Sequence, residues 1–292
     1  MVSLQAAAAE SGREDTDCRT HWQLRSGAPL LRRGLCSLAQ PCLEQSRYMP
    51  RFQFHEATVV LIAAGQLDLD DGVNRISVDA SSSLLLVEPN TCADVLKTPG
   101  GNEQRFRSVV LTVPTALLDT FRRSRPSAPV DEFRPGPFRV IPLDEDLAST
   151  LRLVLDSIDV QRVSDERLQY RLMDLLAALA ERGHHFFGQT GLHDISVRLR
   201  TLIAEAPEQH WTAQKAGPAL AMSEATLRRR LANERLRFED LLIDVRMHHA
   251  MMLVQTTSWN MPYIAQACGY KSSARFAERF RARFGYLPSA VR

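Results

Sequence analysis

Two stretches near the C-terminal end of this chain are near-copies of one another, and they constrain its architecture more than any other feature. Residues 217–231 run Gly217-x-x-Leu-Ala-Met-Ser223-x-x-x-Leu227-x-x-x-Leu231. Residues 265–280 run Ala265-x-x-Cys268-Gly269-Tyr270-x-Ser272-x-x-x-Phe276-x-x-x-Phe280. The offset between them is 48 before the turn and 49 after it, one residue being added at the turn. Two short helices that cross steeply need small side chains where they meet (Gly217, Ala265) and a small or glycine residue at the turn (Ala221, Gly269). The second helix of each unit must bury one stripe, Leu227 and Leu231 in the first, Phe276, Phe280 and Phe284 in the second. The spacing therefore predicts two helix-turn-helix units, at about 212–233 and 260–284.

The faces opposite those stripes carry the chemistry. The first unit offers Ala225, Arg228 and Arg229, with Arg230 nearby, and the second offers Ser273, Ala274, Arg275, Glu278 and Arg279, with Lys271, Arg281 and Arg283 around them. An arginine fork matches the acceptor edge of guanine, Ser or Glu can read adenine or cytosine edges, and a small Ala can lie against a thymine methyl. Ser223 is placed to cap its helix and bring the N-terminus near a backbone phosphate. Between the units, Phe238, Leu242, Val245 and Leu253 mark one long amphipathic helix. It would hold two readers about 34 Å apart, one turn of DNA, in successive major grooves. Charge agrees: the chain carries +2 overall, but residues 191–292 hold 15 Lys and Arg against 9 Asp and Glu. Such an excess points to an anionic partner. The alternative is that these arginines only solubilise a helical bundle.

The first half has a different period. Ala57–Ala64 is a buried-strand run, Gln66–Asp70 alternates, Asp71-Gly72 is a hairpin turn pair, and Val73–Val78 alternates again. Ser83–Val87 and Ser108–Val113 end at turn residues, so a small sandwich or barrel is expected. Prolines at 126–137 break this pattern. Leu147, Leu151, Val154 and Ile158, then Leu168, Leu172, Leu175 and Leu179, mark two amphipathic helices. They either close the β-core or form a dimer seam through Leu168, Leu172, Leu175 and Leu179. The chain thus reads as α+β: a disordered tail (1–19), a β-rich part (20–140), a helical pair used as linker or dimerisation element (141–190), with a hinge at its end, and an all-α C-terminal domain (191–292).

Catalytic and metal chemistry find little support. The five cysteines form no CxxC, so reduced thiols are expected. His55 has few histidines near it in sequence, and the adjacent pairs His184-His185 and His248-His249 point apart on a helix. No phosphate loop, nucleophile elbow or HExxH is present. Neither a cofactor nor a metal nor an enzymatic activity is expected. No apolar run is long enough for a spanning helix and no signal peptide is read at the N-terminus, so a cytoplasmic protein without a membrane partner is expected.

About residues 192–292 resemble the AraC/XylS-type transcription regulators. The resemblance rests on Trp211-Thr212, Ser223-x-x-Thr226-Leu227-x-Arg229-x-Leu231, Arg246 and Ala250, Ile264-Ala265-x-x-Cys268-Gly269-Tyr270-x-Ser272, Phe276-x-x-x-Phe280, and Phe284-Gly285-x-x-Pro288. In wording the segment is similar to the acid-resistance and virulence activators. The resemblance implies a cupin-like N-terminal domain for sensing or dimerisation, a small-molecule effector in it, a homodimer, and activation through RNA polymerase. It implies double-stranded DNA as the partner, with base contacts at Ala225, Arg228, Arg229, Ser273, Ala274, Arg275 and Glu278. Three residues depart from the family pattern: Arg235 where Gly is common, Glu278 where a basic residue is common, and Pro218 inside the first helix of the first unit, which then starts late or is kinked. A ligand-binding or adaptor protein that has lost DNA binding is the alternative, supported by Pro218 and Glu278.

Overall fold

The structure is a computed structural model that describes residues 22, 27–80, 83–101, 104–125, 136–158, 163–186 and 195–291. The expected tail at 1–19, most of the proline-marked break and all but residues 184–186 of the hinge expected at 184–191 lie outside the described residues.

Strands fill the first half: β1 (Leu30–Arg32), β2 (Cys36–Ala39), β3 (Cys42–Leu43), β4 (Arg47–Phe54), β5 (Ala57–Ala64), β6 (Gln66–Asp70), β7 (Arg75–Asp79), β8 (Ser83–Val87), β9 (Thr91–Thr98), β10 (Phe106–Val113) and β11 (Phe138–Pro142). One sheet runs β1-β2-β10-β5-β8-β11, with β3 also on β10; the other runs β4-β9-β6-β7. All pairings are antiparallel within these sheets. β5 is apolar throughout because both of its faces are covered. Side chains alternate across a strand, so Val59 and Leu61 join Leu84, Leu86 and Leu111 on one face. Val60 and Ile62 join Leu85, Leu67 and Val95 between the sheets.

The Asp71-Gly72 turn is longer than a two-residue hairpin. β7 begins only at Arg75, because the Asp71 carboxylate accepts the backbone N–H groups of Val73 (2.8 Å) and Asn74 (2.6 Å) and so organises a four-residue loop. Helix α1 (Thr115–Ser124), β4, β9 and β11 were not expected from the sequence.

The helical pair is α2 (Glu145–Ser157) and α3 (Asp165–Glu181), capped by Asp144 and Ser164. The four leucines offered for a dimer seam are corrected by their surroundings. Leu168, Leu172, Leu175 and Leu179 are each at most 1% exposed and pack with β-sheet residues and α2 in one core. α3 packs on α2 and the sheet with these four side chains covered inside the chain, as expected for helices that close the β-core.

The remainder is helical: α4 (Ile195–Glu205), α5 (Ala213–Ala219), α6 (Glu224–Asn233), α7 (Phe238–Thr256), α8 (Met261–Ala267), α9 (Ser273–Phe284) and a final 3₁₀ turn (Pro288–Val291). Two cores divide these helices on α7. Leu227, Leu231, Phe238, Leu241 and Val245 pack with α4 and α5. Met247, Ala250, Met251, Ile264, Phe276, Phe280 and Phe284 belong to the cluster that continues into the space between the two β-sheets. Polar ties cross the same seam: Lys97 Nζ donates to Gln255 Oε1 at 2.6 Å, and Arg47 Nε to the Val291 carbonyl at 3.1 Å.

Among the described residues no helix is long and apolar enough to cross a membrane, and Cys36, Cys42, Cys92 and Cys268 are free thiols.

Candidate nucleic-acid interface

The first unit is α5, a turn and α6. Thr212 caps α5, its hydroxyl accepting from the Lys215 N–H at 3.2 Å. α5 starts at Ala213, so Pro218 falls in its last turn, where one lost backbone bond does not prevent seven residues from forming a helix. At the turn Ala221 has φ +58°, and its counterpart Gly269 has φ +75°. Left-handed backbone at this point suits Gly269, whereas Ala221 adopts it at the cost an L side chain carries. Gly217 sits at the crossing, where a Cβ would lie 2.9 Å from the Met222 carbonyl. Ser223 caps α6 through the Thr226 N–H, at 3.2 Å.

The second unit repeats this with α8, Gly269 and α9. Asn260 caps α8, with Pro262 in the first turn. Ser272 caps α9, whose end is closed by Gly285 at φ +87°. The residue added relative to the first unit lies in the turn: five residues separate α8 from α9, against four between α5 and α6.

All ten residues expected to meet DNA are exposed: Ser223, Ala225, Arg228 and Arg229 on the first unit, and Lys271, Ser273, Ala274, Arg275, Glu278 and Arg279 on the second. The stripes behind them, Leu227, Leu231, Phe276, Phe280 and Phe284, are buried. Each recognition helix therefore has one face fixed in a core and one face free for a groove. Arg228 differs from the rest, because it donates to Glu224 (3.0 Å) and Glu239 (3.2 Å).

Arg283 departs from the reading that put it around the exposed face. It turns back toward β4, donating to the Arg51 carbonyl at 2.8 Å, the Pro50 carbonyl at 3.3 Å and Asp244 at 3.3 Å. Sequence reasoning also missed what surrounds it. Arg200 of α4 donates to Asp244 at 2.8 Å and lies 3.2 Å from His55 Nε2. His248 Nδ1 meets the Asp244 carbonyl at 2.8 Å, and its Nε2 accepts from the Gln53 N–H at 3.2 Å. Helical spacing of four links Asp244 to His248, but only folding brings His55 and Arg283 to them.

Burial works against the Asp244 carboxylate, yet the His248 ring and the Arg200 guanidinium outweigh it and hold its pKa at about 2. Burial and the Arg200 charge push the His55 imidazole well below its ordinary value, and burial lowers that of His248. Donor atoms of His55, Asp244 and His248 come within 4.8 Å of one another, the reach of a metal ion. Their valences are committed, however: Asp244 already faces two guanidinium groups and both His248 ring nitrogens have partners. A dication would have to displace the arginines, so the cluster fits a set of interlocked ion pairs better than a metal centre.

A two-sheet domain is thus followed by paired helix-turn-helix units on one connecting helix. Residues 218–292 match the family model described as a helix-turn-helix domain. Among curated proteins, the chain is 29% identical over 126 residues to the HTH-type transcriptional regulator YdeO of Escherichia coli, covering 43% of this chain and 49% of that protein. It is 33% identical over 91 residues to the urease operon transcriptional activator of Escherichia coli, covering 31% of each. It is 26% identical over 126 residues to the virulence regulon transcriptional activator VirF of Shigella flexneri, covering 43% of each. The aligned regions thus span half or less of these relatives' length. The whole fold is similar to ToxT of Vibrio cholerae: an apo point variant gives a TM-score of 0.60 at 16% identity, over 89% of this chain and 98% of that one. The unsaturated fatty acid-bound wild type gives 0.54 at 14%, over 91% and 96%.

Proposed function

We propose that the chain is a sequence-specific DNA-binding transcriptional regulator, acting as an activator, that reads two adjacent major-groove segments with α6 and α9. The carrying observation is the exposure of all ten side chains offered for DNA, against buried stripes on the same two helices. The relatives named as transcriptional activators support the direction of regulation. Contact with RNA polymerase, residence in the cytoplasm with the DNA, and the division into a sensing part (20–140), a helical pair (141–190) and a DNA-binding part (191–292) belong to this reading. So does a small-molecule effector in the β-rich half, supported by the fatty acid-bound neighbour. If the regulator dimerises, it does so through a surface other than the buried leucines of α3.

The test is a shift assay on DNA selected by this protein from a random pool, with excess nonspecific competitor. Specific complexes should survive the competitor and weaken steeply with salt, as counterions released from phosphate demand. Arg275→Ala should cost about 1–3 kcal/mol and relax base preference locally. Loss of both Arg228 and Arg275 with an unchanged footprint would refute the reading faces.

A further inference from the structure

We propose that Arg246 is the positioning residue that sets the distance and phase between the two recognition helices. The inference rests on the two-helix reading above and concerns what holds the pair in register.

The two units have no common apolar core. On α7, Val245 is the last residue of the first unit's core and Met247 the first fully buried residue of the second's, with Ile243 packing against the second from one turn earlier and Arg246 lying between Val245 and Met247. Apart from α7 itself, something at this boundary must keep the units from pivoting. The Arg246 side chain spans it. Its Nε donates to the Pro207 carbonyl at 3.0 Å and its Nη2 to the Gln209 carbonyl at 2.7 Å, both in the loop that leads into α5. Its guanidinium lies over the Tyr270 ring, 5.6 Å from the centroid, just after the turn of the second unit.

Gly269 makes that approach feasible. A Cβ there would lie 2.4 Å from Arg246 Nη2 and 2.7 Å from the Pro207 carbonyl, so the loop, the guanidinium and the turn converge on one point. Among the described residues Arg246 has no carboxylate within ion-pair distance, and burial lowers its pKa. A half-buried cation held by backbone carbonyls and a ring is costly as a stabiliser but rigid as a spacer. Lysine cannot replace it, because one ammonium group lacks a planar fork that spans two carbonyls while stacking. The joint also borders the DNA face: Glu208 and His210 of the loop line a cleft opposite Gln266, Lys271 and Ser273. Movement at Arg246 therefore moves Lys271 and Ser273 relative to α6.

The experiment uses the full-length protein and the DNA it selects. Spacers between the two recognised segments are lengthened or shortened by one base pair, which moves the second segment along and around the duplex. Wild type should lose about tenfold or more in affinity for either change, the scale of a mismatched site. Arg246→Met keeps the apolar stem and removes the fork. It should weaken binding to the optimal spacing about tenfold, reduce the penalty for altered spacing to about threefold or less, and leave binding to either isolated segment unchanged. Arg246→Lys should behave like Arg246→Met. A folded Arg246→Met protein that keeps the full spacing penalty overturns the proposal. If that variant does not fold, Tyr270→Leu, which removes only the stacking surface, must relax spacing in the same direction, and an unrelaxed profile overturns the proposal equally. A wild-type protein that selects no DNA, or one segment only, sinks the two-helix reading itself and this inference with it.

Discussion

Arg228 and Arg275 face outward from corresponding helices but start from different electrostatic positions. Arg228 is shared between Glu224 and Glu239, whereas Arg275 lies exposed on the first turn of α9. On the proposed reading, DNA competes with two carboxylates for Arg228. An exposed pair is worth about 0.2–1 kcal/mol, so Glu239→Gln should raise operator affinity by up to about fivefold at low salt, and Arg228→Ala should cost less than Arg275→Ala. Equal losses in a titration of both variants would count against this ranking. Arg235 shows a second residue-scale cost. It stands at φ +59°, left-handed backbone that an L side chain adopts reluctantly. Glycine is the relaxed choice at such a φ, and Arg235→Gly should stabilise the domain by up to about 1 kcal/mol, less the extra freedom glycine has when unfolded. A melting curve measures it, and a lowered midpoint would show that the arginine side chain contributes more than its backbone costs.

Elements were legible from sequence wherever their causes are local. The α6 and α9 caps, the small residues at the crossings and the stripes Leu227–Leu231 and Phe276–Phe284 lie within a few residues of each other, and the helices follow. Strands β4 and β9 were not, because β4 carries a bulge around Pro50-Arg51 that interrupts its alternation and its partner is some forty residues away. α1 was hidden by Pro114, which ends one strand and begins a helix. The stripe on α3 was visible, but a stripe does not say which surface it meets; the sheet and α2 occupy it here. Leu172→Ala should accordingly destabilise the folded chain by about 2–5 kcal/mol through the cavity it leaves, with the sedimentation profile of the folded protein unchanged. A folded variant that sediments as a lighter species would restore the seam.

Across the whole molecule, the β-rich half and the second helix-turn-helix unit meet through titratable groups. His55 from the segment after β4 faces Arg200 of α4, Asp244 and His248 of α7, and Arg283 of α9. The docked pKa values of His55 and His248 lie below the ordinary value of 6.5. A group depressed in this way favours docking at pH above its free value and withdraws that support as pH falls through the window below it. Docking should therefore be constant from about pH 7 to 8 in the histidine contribution and weaken below about pH 6.5. Lys97, lowered by burial to about 7, acts with the same sign across a higher window, from its ordinary 10.5 downward. Distance measurements between dyes on the two halves, taken from pH 8 to 5, should report separation on the acidic side, blunted in His55→Asn. An acid-insensitive distance in the wild type would refute the coupling. Only the spacing of four between Asp244 and His248 could be read from sequence, since residues 55, 200 and 283 join that pair only after folding. The interior that Met247, Phe276 and Phe280 share with the β-sheets has a practical outcome as well. A chimaera that grafts the last hundred residues onto a foreign sensor would inherit an unsealed oily wall, so transplanting this reader intact would require repainting α7 with polar side chains at the graft.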